Sequence, residues 1–72
     1  MSDPPRDVAI DGEMIRLGQL LKLSGLAQSG GEARELVTEG AVRVNGEIET
    51  RRGRQLHHGD VVEADGEGVR VA

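Results

Sequence analysis

A chain of 72 residues makes one domain at most and buries only about 60% of the surface its unfolded form exposes. With 36% apolar residues, no Phe, Trp or Tyr and no cysteine, the core must come from Leu, Val, Ile, Ala and Met, which excludes a large buried substrate pocket, disulfides, zinc-thiolate sites and thiol nucleophiles. Nine basic against thirteen acidic residues give a net charge of −4, which argues against a non-specific nucleic-acid coat.

Residues 1–6 carry two prolines among polar neighbours and are expected to form a disordered tail, leaving a single domain over residues 7–72. The acidic opening is unlike a secretory leader, and no run approaches the roughly 20 apolar residues of a membrane span. A soluble, cytoplasmic chain with no membrane partner is expected. Val8 and Ile10 alternate before Asp11-Gly12, which suits a short strand and turn within residues 7–13. Leu17, Leu20, Leu21 and Ser24 share one helical face, predicting a first helix over residues 17–24 closed by Gly25, with Leu26 folding back on its last turn.

A second helix is marked at both ends. Ser29 and Glu32 have the spacing of a reciprocal capping box, Ala33, Leu36 and Val37 form its apolar stripe, and Gly40 stops it. Neither helix is long enough to be stable alone, so both need a sheet to pack on. Val42 and Val44 begin that sheet, Asn45-Gly46 is a strong type I′ hairpin signal, and Ile48 is expected to continue the apolar face. Arg51-Arg52-Gly53-Arg54 interrupts the alternation as a bulge or loop. Turns at His58-Gly59-Asp60 and at residues 65–68 separate Val61-Val62 from a last strand holding Val69 and Val71. The order predicts an α+β fold, two short helices packed on a small, mostly antiparallel β-sheet.

Catalysis finds no support. Ser24 and Ser29 have helix-capping positions, no nucleophile-elbow glycine pattern surrounds a serine, and His57-His58 lacks partners at metal-ligand spacing. Neither an enzyme nor a cofactor is expected. Gly30-Gly31 before a helix resembles a phosphate-binding start without the Lys-Ser/Thr of a nucleotide loop; its open amides could still meet an RNA phosphate, with Glu32 competing and Arg34 as the firmer contact. Charge is unevenly spread: residues 1–40 and 59–72 are each net −3, while residues 41–58 set Arg43, Arg51, Arg52 and Arg54 against Glu47 and Glu49. Arginine's planar fork suits phosphate oxygens.

The run from Leu26 to Gly46, with Ala33-Arg34-Glu35-Leu36-Val37 and Gly40-Ala41-Val42-Arg43-Val44-Asn45-Gly46, followed by Gly59-Asp60-Val61-Val62, resembles the S-four RNA-binding domain, or alpha-L motif. Leu20-Leu21-Lys22-Leu23, Ser29-Gly30-Gly31-Glu32-Ala33 and Glu49-Thr50-Arg51-Arg52 are similar to its small stand-alone bacterial subgroup typified by YbcJ. The resemblance covers roughly residues 15–72 and implies RNA binding by Lys22, Arg34, Arg43, Asn45, Arg51, Arg52 and Arg54, which join the Gly30 and Gly31 amides as candidate contacts. Many family members have Arg where this chain has Gly30, which shifts weight onto Arg51, Arg52 and Arg54.

Without aromatic side chains there is no platform for stacking splayed bases, so phosphate and shape contacts to a structured RNA, ribosomal RNA above all, are the expected mode. Asn45 is expected chiefly to hold its turn. The alternative is a protein-interaction module whose Glu32, Glu35 and Glu39 dock a basic partner such as a ribosomal protein. A monomer is expected.

Overall fold

The computed structural model describes residues 4–72. Of the expected tail, residues 1–3 lie outside the described residues, and Arg6 instead opens the first strand, β1 (Arg6–Val8). That strand lies parallel to the last one, β7 (Glu67–Val71), with Arg6 opposite Val69 and Val8 opposite Val71. Three further contacts hold it: Ala72 N donates to Val8 O at 2.9 Å, Arg70 Nε to Asp7 Oδ1 at 2.9 Å, and Arg6 Nη2 to Ser24 O at 2.8 Å. The strand stops before Ile10, earlier than the alternation predicts; Ile10 packs from the following loop against the core.

A second short strand, β2 (Met14–Arg16), leads directly into helix α1 (Leu17–Leu23). Leu17, Leu20 and Leu21 are fully buried on the predicted face, and Ser24 caps the end with its hydroxyl on Leu21 O. Helix α2 (Gly30–Thr38) starts as expected on Ser29, whose Oγ accepts from Glu32 N at 3.1 Å. Among the described residues no bond returns from the Glu32 carboxylate to Ser29 N, so only the serine half of the capping box forms. Glu32 still favours the helix start through its charge. At the other end Gly40, at φ +73°, completes a Schellman motif: Gly40 N donates to Val37 O and Ala41 N to Leu36 O.

The chain then forms β3 (Val42–Val44) and β4 (Glu47–Ile48), joined by Asn45 and Gly46 at φ 52° and 86°, both positive as a type I′ turn requires. Ile48 does not continue the apolar face. A two-residue turn pairs Val44 with Glu47 and Arg43 with Ile48, which sends Ile48 to the outer side, where it is 55% exposed. The remaining strands are β5 (Gln55–His57) and β6 (Val61–Ala64). Only Asp65 and Gly66 form the last turn, since Glu67 and Gly68 already belong to β7.

The main sheet runs β1-β7-β6-β3-β4, antiparallel except at β1–β7. Strands β2 and β5 make a separate antiparallel ribbon, with Arg16 opposite Gln55. One core unites the helices with both sheets: Leu17, Leu20, Leu21, Val37, Val42, Val44, Leu56, Val62, Val69 and Val71 are almost wholly buried. The fold is α+β, with two short helices on mostly antiparallel strands, as the sequence predicts.

Candidate nucleic-acid interface

The arginine-rich segment is organised by an acid. Glu49 is only 6% exposed, and its carboxylate accepts Arg51 Nε, Arg51 Nη2 and Arg54 Nη1, each at 3.0 Å, together with the Arg51 amide. These bonds from Arg51 and Arg54 outweigh the cost of burial and lower the carboxyl from 4.5 to about 2. Glu49 N is anchored to Val42 O at the base of the hairpin. Two of the arginines expected to face a ligand therefore spend charge-assisted hydrogen bonds on the protein itself.

The clamped loop docks on the start of α1. Leu17 N donates to Arg54 O at 2.8 Å and Gly18 N to Arg52 O at 3.0 Å, so the loop satisfies amides that a helix start leaves without partners. Arg16 Nη1 reaches Gly53 O at 3.0 Å, and Gln19 Oε1 accepts from Arg16 N. The Arg52 side chain lies across Gly18, where an added Cβ would meet Arg52 Cγ at 2.6 Å and Cδ at 3.1 Å. Glycine at this buried helical position is what lets the arginine stem lie so close.

Between this loop, α1 and the start of α2 lies a groove of about 420 Å³, lined by Arg16, Gln19, Lys22, Gly30 and Arg52 together with Gly18, Ala33 and Gly53. It holds three cations and no carboxylate. Of the residues expected from sequence, Lys22, Gly30 and Arg52 meet here. Gly31 follows Gly30 on α2, and a side chain built at either would meet little: nothing within 4 Å at Gly30 and only Ser29 Oγ at Gly31. Arg34, exposed, stands one turn beyond Gly30 on the same helix.

The others are placed elsewhere. Arg43 braces its own hairpin through Nη1 to Gly46 O at 3.2 Å. Asn45 uses both ends of its amide, Nδ2 to Asp60 Oδ1 and Oδ1 from Val61 N, tying the hairpin turn to β6. Asp60 also accepts the His57 amide at 2.8 Å, the main reason its carboxyl sits below the usual range. Arg16, Gly18 and Gln19 line the candidate site without a sequence motif to mark them, and the only signal is a glycine inside a short helix two residues after Arg16. His58 Nε2 lies 2.9 Å from Gly12 O, and among the described residues no group of three or more His, Asp or Glu could hold a metal.

The fold and this cationic groove define a small alpha-L type domain. A family model of the S4 domain matches residues 8–72, and the chain belongs to that family. It is 54% identical over 61 residues to the Bacillus subtilis protein named "Probable ribosome maturation protein RlbA", a match covering 85% of this chain and 86% of that one. It is 39% identical over 57 residues to YbcJ of Escherichia coli, covering 79% and 81% of the two chains. The solution structure of YbcJ, described as revealing a motif involved in RNA binding, matches with a TM-score of 0.73 and 31% identity over 97% of this chain and 90% of that one. The ribosomal protein S4e of Thermoplasma acidophilum matches with a TM-score of 0.64 and 25% identity, over 83% of this chain but 32% of that one. Among the described residues no helix is long and apolar enough to cross a membrane.

Two outcomes are expected of the loop. Because the Glu49 carboxyl is lowered on folding, its contribution to stability is complete above about pH 5 and is lost as pH falls toward 2. Glu49→Gln should lower stability at pH 7 by about 1–3 kcal/mol, and its gap to the wild type in thermal melting should close on acidification. A gap that stays constant with pH would show that the charge does not hold the loop. Gly18→Ala normally gains up to about 1 kcal/mol in a helix. Melting should show that gain in an Arg52→Ala background and not in the wild type, because Arg52 occupies the space.

Proposed function

We propose that this chain is a small RNA-binding protein that holds the phosphate backbone of a structured RNA, ribosomal RNA in the first instance, in the groove between α1, α2 and the 49–54 loop. The observation that carries this reading is the sorting of charge: in a chain of net charge −4, Arg16, Lys22 and Arg52 converge on one groove without a carboxylate. Family membership supports it, as do the RNA-binding motif described for YbcJ and the ribosome maturation named for RlbA.

Each residue has a distinct part. Arg52, laid across Gly18, and Lys22 on α1 present charge from two walls. Arg16 donates one arm to Gly53 O, which orients the rest of its guanidinium. The open surface of Gly30 and Gly31 lets an anion approach the positive end of α2, and Arg34 extends the path along that helix. Arg51 and Arg54 act mainly by keeping the loop folded. With no aromatic side chain in the protein, recognition rests on backbone geometry rather than on stacked bases.

Fluorescence anisotropy against a labelled, structured ribosomal-RNA fragment and a matched DNA duplex tests this, each at about 50 and 200 mM salt. Saturable binding that prefers the RNA is expected, with log K falling against log salt at a slope near −3 for about four neutralised phosphates. Arg52→Ala and Lys22→Ala should each weaken binding roughly three- to tenfold and flatten that slope by about one, while Arg43→Ala should leave both nearly unchanged. Absence of binding to either probe at the lower salt would overturn the proposal.

A further inference from the structure

We infer that a second groove, on the other side of Gln19, is a docking site for a basic polypeptide segment with an apolar anchor. The inference does not depend on the RNA reading. This groove, about 520 Å³, is lined by Ile10, Asp11, Met14, Ile15, Gln19 and Leu23, with Ala9 at its edge. Among the described residues three large hydrophobic side chains are exposed, and two of them, Met14 at 38% and Leu23 at 56%, lie here. A protein with so little apolar material to bury leaves a leucine and a methionine exposed on the lining of one groove, which also includes Ile10 and Ile15, half-buried against the core.

Helix α1 divides its outward face between the two grooves. Gly18 and Lys22 turn to the cationic one and Leu23 to the apolar one, while Gln19 lines both. The charges are opposite. The apolar groove carries the carboxylate of Asp11 and no cation, and exposed Glu13 directly precedes Met14. A phosphate backbone or an anionic lipid surface would meet repulsion there. A second copy of this chain seated symmetrically would set acid against acid. An apolar side chain flanked by Lys or Arg fits both the greasy floor and the acidic rim.

The test is an amide-resolved NMR titration of the full chain with three synthetic peptides of roughly 12 residues: one with central leucines flanked by lysines, one with those leucines replaced by glutamine, and one with the lysines replaced by glutamate. The first should perturb the amides of Ile10, Asp11, Ile15 and Leu23, and the other two should bind about tenfold more weakly or not at all. Leu23→Gln and Met14→Gln, both at exposed positions, should weaken the first peptide about tenfold without changing the melting temperature. Equal binding of the glutamine peptide would reduce the effect to charge alone and overturn the inference. Perturbations elsewhere, the same amides responding instead to the labelled RNA fragment, or concentration-dependent self-association through this face would also overturn it.

Discussion

The buried carboxylate of Glu49, held between the guanidinium groups of Arg51 and Arg54, is the interaction on which the candidate site depends. The 49–54 loop has almost no apolar side chain of its own to bury, so hydrophobic packing cannot position it. An ion pair of this kind stabilises only when its hydrogen bonds are met, and here both carboxylate oxygens are used. Once folded, the loop offers its carbonyls at residues 52 and 54 to the first amides of α1. The consequence is positional: Arg52 comes to lie over Gly18, facing Lys22 and the start of α2. A glutamate outside the cationic groove thus organises one wall of it.

The same economy explains how an acidic protein can hold a cationic surface. Among the described residues several carboxylates are committed to partners, as with Glu49, Asp60 and Asp7, and none lines the groove. Sorting by place matters more than total charge, because exposed charges more than about 10 Å apart are largely screened at physiological salt. Gln19 marks the border between the cationic and the apolar groove, a neutral side chain where either sign would compromise one of them.

Features decided by neighbouring residues were legible in the sequence. Ser29 and Gly40 bound α2, and Asn45-Gly46 turns the hairpin, because caps and tight turns depend on local backbone preference. Features decided by distant partners were not. The ribbon of β2 and β5 has three residues a side and a single buried one, Leu56, too little alternation to detect. That ribbon sets Arg16 beside Gly53, 37 positions away, so Arg16 could not be assigned to the site from its own surroundings. Apolar character alone puts Ile48 on the core face, whereas the pairing that a two-residue loop imposes sets it opposite Arg43 on the outer one. Arginine content marks residues 51–54, but the bonds by which Glu49 engages Arg51 and Arg54 arise only in the folded loop.

The most direct measurement is the affinity of Glu49→Gln for the structured ribosomal-RNA fragment at neutral pH, well below its melting temperature. Removing a negative charge beside a cationic site should strengthen phosphate binding if charge alone governs it, by increasing the local positive potential. If the clamp positions Arg52, affinity should instead fall, roughly threefold or more, despite the gain in net positive charge. Unchanged or tighter binding would contradict the account, and the arginines would then act as a loose cationic cluster rather than through a loop built by Glu49.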